Sequence, residues 1–234
     1  MQKLFALFIV LFVKLSLFSS DIQPSLDFVK NQGQWESPVL YKADLKGGWV
    51  FLEKNELTYL FYDNSAFKHP HVHKKDESHI IKGHAYKAQW LNANENVAVS
   101  DQDKQPYFNN YYIGSDQTKW QANVGLYRII DYKNLYNNID AKVYSEAMSM
   151  KTDYIIHPTG NPLNIQLQYN GVDGISIEEN GKLKITTSVN TVYELKPYAY
   201  QLKNGVKVEV VCQYKLIGNT VSFILPNSYN KNED

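Results

Sequence analysis

Five histidines fall within sixteen positions, at His69, His71, His73, His79 and His84. An H-x-H-x-H spacing can put alternating imidazoles on one strand face, and zinc is the natural metal for such ligands. Against this, Pro70 breaks the strand, lysines surround the run, and no cysteine or patterned carboxylate completes a shell. A solvated loop over 64–78 is the favoured reading, with no metal and no cofactor expected. Carboxylates are the second chemistry. Glycoside hydrolysis needs two of them about 5–9.5 Å apart, and Asp131, Asp140, Glu146 and Asp153 crowd one stretch. Their spacing follows strand-and-turn periodicity, which solvent-facing positions explain without catalysis. No nucleophile elbow, zinc-protease helix, phosphate-cradling glycine loop or Cys/His pairing of known spacing occurs, so no catalytic residue is assigned.

Aromatic side chains are the third. The chain holds 18 Tyr and 4 Trp, and exposed rings on a sheet make stacking platforms for sugars or protein partners. Trp90, Tyr111, Tyr112 and Trp120 are the candidate ligand contacts. Adjacent residues of a strand face opposite sides, so one of Tyr111 and Tyr112 should be exposed. Most other tyrosines, Tyr154 and Tyr169 among them, share parity with Ile and Leu and are expected in the core.

Such side chains need a frame, and turn punctuation describes it. Asn180-Gly181 and Asn204-Gly205 each separate alternating apolar runs, the strongest short hairpin signal, since a type I′ turn needs positive φ at both central residues. Strands are expected at 49–53, 57–62, 80–91, 107–113, 124–132, 139–144, 150–157 and 165–169, with a short one at 97–100. Residues 92–105 are otherwise polar, and 133–138 reads as a tight connection. A short helical turn within 117–123 presents Trp120. No dozen residues sustain a helical period. Short strands with regular turns predict an all-β fold, antiparallel, sandwich-like and hairpin-rich, with a few helical turns. Cys212 falls on the apolar parity of a run over 206–216, which makes it a buried thiol rather than a nucleophile.

Composition bounds the setting. Lys+Arg and Asp+Glu both total 24, and this zero balance without a basic block argues against nucleic acid. Lys3, an apolar run over 4–13 and Ser19-Ser20 form a secretory signal peptide. Lys14 ends the run far short of the roughly 20 apolar residues of a membrane span, so no stable span is expected after cleavage. The expected organisation is a signal peptide over 1–20, one β-rich domain over 21–226 with a subdivision near 101–106 allowed, and a polar tail or truncated linker over 227–234. A lone cysteine rules out internal disulfides, so the exported domain must rely on its core.

The segments FVKNQGQW (28–35), VLYKADLKGG (39–48), GHAYKAQWLNAN (83–94), NYYIGSDQTKWQANV (110–124), YKNLYNNIDAKVYS (132–145), DYIIHPTGNPLNIQLQYNG (153–171) and KPYAYQ (196–201) together carry a resemblance. The chain resembles the uncharacterised β-rich N-terminal domain that precedes SBBP-type β-propeller repeats in large exported bacterial proteins. It has Asn137-Asn138 where that family often has Pro-Gly. The resemblance implies a module of cell-surface or secreted proteins, some linked to adhesion or gliding motility, with downstream propeller repeats as partner in longer relatives. It carries over no catalytic or binding residue. The expectation is therefore an exported, non-enzymatic structural or adhesive module, extracellular or at the cell surface, and periplasmic if the chain ends at Asp234. Its partner would be a glycan or a surface protein. A carbohydrate-binding module using exposed aromatics is the alternative, and a carboxylate-dependent hydrolase the third reading.

Overall fold

The structure is a computed structural model, and it describes residues 25–63, 80–226 and 229–230. The expected signal peptide and four of the five clustered histidines lie outside these residues. The described chain is all-β and antiparallel throughout. Four strands open it, β1 (Phe28–Lys30), β2 (Tyr41–Leu45), β3 (Gly48–Leu52) and β4 (Glu56–Tyr62), followed by β5 (Gly83–Trp90). Two long strands come next, β6 (Ala98–Tyr111) and β7 (Gln121–Tyr136), then β8 (Ile139–Glu146), β9 (Ser149–Ile156) and β10 (Gln166–Asn170). The remainder is β11 (Gly174–Ile177), β12 (Leu183–Thr186), β13 (Thr191–Glu194), β14 (Ala199–Lys203), β15 (Val206–Val210), β16 (Gln213–Ile217) and β17 (Thr220–Ile224).

The main sheet has the order β16-β17-β10-β5-β4-β3-β2-β1-β7-β8-β9, with β6 on the free edge of β7. Strand β7 is the hinge of the architecture. Its other edge is shared end to end, by β1 at Leu126–Tyr127 and by β8 from Ile129 to Tyr136. The sheet therefore divides there into two layers. Their inner faces meet in one cluster, with Tyr41, Ala43, Val50, Leu52, Leu57 and Trp90 from one layer against Ile130, Tyr132, Ile139, Ala141 and Val143 from the other. These residues recur at every second position, as a one-sided strand requires. The Trp90 and Tyr132 rings meet edge-on at 5.0 Å. The polar ends of the buried aromatics are paired too, since a buried N–H or O–H without a partner is costly. Trp90 Nε1 donates to Tyr154 Oη at 2.7 Å, and Tyr132 Oη to the Glu53 carbonyl at 3.0 Å.

A second core continues on the same face of the main sheet. Phe61, Tyr86, Ala88, Tyr169 and Val221 pack under Leu183 and Ile185 of the separate β11-β12-β13 sheet. Hairpin β14-β15 stands apart, with Tyr198, Tyr200, Leu202, Val206 and Val208 exposed.

Four local expectations are revised. β6 is one long strand through 101–106, although its sequence is polar, because its pairing with β7 supplies the backbone hydrogen bonds whatever its side chains are. β7 continues through 133–136, because a bulge between Tyr132 and Tyr136 absorbs the break in alternation. The run over 206–216 is two strands, since Val211 and Cys212 interrupt it. Cys212 is buried by that turn and not by strand parity, and burial pushes its thiol pKa up. Asn204-Gly205 has positive φ at both residues, as type I′ demands, but at Asn180-Gly181 only Gly181 does. That connection spans one bond more, with Glu178 N donating to Lys182 O at 2.8 Å.

Candidate functional site

One end of the sandwich opens into a cavity of about 510 Å³ lined by Asn92, Asn94, Asn134, Tyr136, Asn137, Asn164 and Gln166. Six of these seven carry carboxamides, and none is charged. They arrive from four connections. Asn92 and Asn94 follow β5, Asn134 sits in the β7 bulge, Asn137 is in the β7–β8 turn, and Asn164 and Gln166 lead into β10.

Most are held or shaped by their backbones. Asn92 and Asn134 both have φ +56°, a left-handed conformation that Asn adopts more readily than most residues. Asn94 N donates to the Leu135 carbonyl at 2.8 Å and its carbonyl accepts from Val97 N. Asn164 closes a short 3-10 turn, Pro162–Asn164, which Asn161 caps by accepting from Leu163 N. Gln166 O accepts from Leu91 N at 2.9 Å and, more weakly, from the buried Tyr136 hydroxyl at 3.4 Å. Beside the bulge, Gly160 lies so close to the Asn138 carbonyl that a Cβ there would stand 2.5 Å from it.

Behind the rim a charged cluster fixes the bulge. Asp140 Oδ1 accepts from Asn134 N at 2.7 Å, while Oδ2 meets Lys133 Nζ at 2.8 Å and His157 Nε2 at 3.1 Å. Burial by itself would raise the Asp140 pKa, but the Asn134 N–H, Lys133 and His157 outweigh it and hold the group at about 2. A carboxyl held that low stays ionised at neutral pH and cannot serve as a general acid, which needs its pKa raised.

The side-chain amides differ from everything behind them. Those of Asn92, Asn134, Asn137, Asn164 and Gln166 make no hydrogen bond within the described chain, and Asn94 uses only Oδ1, toward Asn96 N. Each free carboxamide offers two donors and an oxygen acceptor. The rim is a neutral, fixed array of unspent hydrogen-bonding groups. Sequence reading passes over it, because asparagines in turns are read as turn chemistry. Their number at chain breaks that meet in space, at Asn92, Asn94, Asn134, Asn137 and Asn164, was the available signal.

The four aromatic candidates separate. Trp90 is 1% exposed in the core and is withdrawn as a ligand contact, because its place on the apolar parity of β5 turns it inward. Tyr111 is half-buried against Trp35, rings 5.4 Å apart. Tyr112 and Trp120, 60% and 37% exposed, form an edge-on pair at 5.8 Å in the β6–β7 connection, well away in sequence from the rim. The carboxylates separate as well, and Asp131 and Asp140 are buried rather than solvent-facing. Asp131 accepts from Gln102, Glu146 pairs with Lys151, and Asp153 accepts from the Tyr144 hydroxyl. His84 belongs to none of these sites. Its Nε2–H donates to Gly171 O at 2.7 Å and Nδ1 accepts from Ser188 N at 3.2 Å, with Ser188 Oγ also 2.9 Å away. The lone pair that a general base needs is thus already engaged by a backbone N–H, and His84 ties β5 to the β12–β13 turn. Among the described residues no group of three His, Cys, Asp or Glu could hold a metal ion, and no helix is long and apolar enough to cross a membrane.

The described chain is thus a two-layer antiparallel β-sandwich with an amide-rimmed end. A family model for a domain of unknown function, DUF7948, matches residues 28–234, and the chain belongs to that family. No curated protein and no solved structure matches it.

Proposed function

We propose that the domain is an exported, non-enzymatic structural or adhesive module that binds its partner at the amide-rimmed end of the sandwich. The observation that carries this reading is an array of carboxamides, mostly without a partner in the described chain, around a cavity with no charged lining residue among the described residues. Such a rim recognises without supplying a nucleophile or a proton carrier. Asp131, Asp140, Glu146 and Asp153 are committed to Gln102, Lys133, Lys151 and Tyr144, which further supports binding over hydrolysis. Export rests on the signal-like first twenty residues. A place ahead of β-propeller repeats in a cell-surface or secreted protein rests on the resemblance of the seven sequence segments.

The test incubates the full chain with panels of polysaccharides and peptides, following product release and retention on the immobilised polymers in parallel. The expected outcome is retention without product. Product formation that Asp140→Asn abolishes in a still-folded protein would overturn the reading and restore a hydrolase.

A further inference from the structure

The lining chemistry of the cavity selects among ligand classes. Its volume, about 510 Å³, lies inside the roughly 300–1,000 Å³ of small-molecule sites, but most such sites are mainly apolar with a few polar groups. Here the proportion is inverted, with Tyr136 the single aromatic among six carboxamides. An apolar ligand would strand those amides against carbon, which leaves polar groups unpaired. A hard cation would want carboxylates among its oxygen donors, and none lines the wall among the described residues. A phosphate or sulfate would want Arg, Lys or a run of backbone N–H groups. Lys133, on the back of the bulge, is taken up by Asp140 at 2.8 Å. What remains is a neutral ligand dense in groups that both donate and accept.

Sugar hydroxyls are such groups. A vicinal diol presents a donor and an acceptor about as far apart as the N–H and C=O of one carboxamide, so each Asn or Gln can take two neighbouring hydroxyls. We propose that the cavity rimmed by Asn92, Asn94, Asn134, Asn137, Asn164 and Gln166 is a binding site for an uncharged saccharide unit of a glycan. The inference rests on the reading of the domain as a binding module and adds the ligand class. Placement of the amides favours this use, because strand ends, a bulge and a 3-10 turn hold their backbones before any ligand arrives, which lowers the ordering cost of binding. The site is open and its contacts are neutral hydrogen bonds, so a single unit binds with a dissociation constant on the order of 0.1–1 mM. Useful adhesion then comes from repeated sites along a polymer and a surface.

The experiment is a glycan array of neutral oligosaccharides with matched uronic-acid and sulfated counterparts. Titration of the best neutral hit follows, by NMR on the isotope-labelled full chain. The expected result is binding of neutral glycans, with shifts confined to residues 91–96, 133–138 and 162–167. Asn164→Ala and Gln166→Ala are each expected to weaken binding about three- to tenfold at unchanged melting temperature, the worth of about one net hydrogen bond. Trp120→Ala is expected to leave it unchanged. Shift mapping on the unaltered protein keeps the test decisive should a variant fail to fold. Binding restricted to acidic glycans, shifts centred on Tyr112 and Trp120, or no glycan bound at all would each overturn the saccharide assignment while leaving a binding module for peptides or proteins. Cleavage of a glycan bound at the rim would do the reverse, keeping the site and overturning the non-enzymatic reading.

Discussion

The tyrosine seam beneath the β11-β12-β13 sheet and the asparagine rim at the sandwich end use hydrogen-bonding groups in opposite ways. In the seam, Tyr169 Oη donates to Glu194 Oε1 at 2.7 Å, and Tyr214 Oη to the Leu195 carbonyl at 3.0 Å. The Tyr59 and Tyr86 rings stack at 4.8 Å. Polar atoms there close on one another, and apolar surface does the holding. On the rim, five side-chain amides have no partner in the described chain, while the backbones of Asn134, Asn164 and Gln166 are tied by hydrogen bonds. The first arrangement spends its polar capacity on the fold, whereas the second reserves it. The tyrosines thus serve mainly stability, and turn asparagines make the best candidate site.

The two regions also answer pH with opposite signs. Burial raises the Glu194 carboxyl above its ordinary value, which the Tyr169 hydroxyl only partly offsets. Its folded state therefore holds the proton more tightly than the unfolded state does. The stability this contributes is present below the ordinary Glu value of about 4.3 and is lost as pH rises through the raised one. Asp140, held at about 2, contributes stability that is present above its unfolded value of about 3.9 and lost as pH falls toward 2.

The largest expected effect tests whether the dry interior holds the two layers together. Trp90→Ala removes a ring packed on Tyr132 and the donor to Tyr154, and should cost about 3–5 kcal/mol in urea unfolding. A loss under 1 kcal/mol would mean that the layers do not close on this residue. Next comes the anchor behind the rim. Asp140→Asn leaves Lys133 and His157 without their carboxylate and should cost about 1–3 kcal/mol at pH 7. Melts between pH 4 and pH 2 should then lose much of their slope, and an unchanged acid limb would refute the role given to Asp140. The smallest effect distinguishes the seam. Glu194→Gln should match the unaltered protein at pH 4 and equal or exceed it at pH 7, since the variant has no buried carboxylate to ionise, and a matched pair of melts reads the difference. A variant that is weaker at pH 7 than at pH 4 would place a counter-charge near Glu194 and end the contrast between the regions.

Much of the frame was legible. Alternation in 84–90 and 139–143 put Tyr86, Ala88, Trp90, Ile139, Ala141 and Val143 inside, because a strand with one buried face must repeat every second residue. Asn204-Gly205 announced its turn by the same local logic. Trp90 lies on the same parity as Tyr86 and Ala88, and the expectation of a ligand contact there ran against that parity. The polar strand β6 was not legible, since its place depends on β7 lying alongside it. Neither was the bulge at Asn134, where pairing with β8 and a bond from Asp140 settle the backbone.

What the sequence determined by itself was therefore the all-β class and most of the strand faces, both consequences of short-range periodicity and turn geometry. Tertiary structure alone decided that β7 divides the sheet into two layers, that Asp131 and Asp140 are buried anchors, and that asparagines from residues 92 to 164 converge on one neutral cavity. Those outcomes depend on which strand ends meet in space, and hydrogen-bond register between distant segments fixes that meeting.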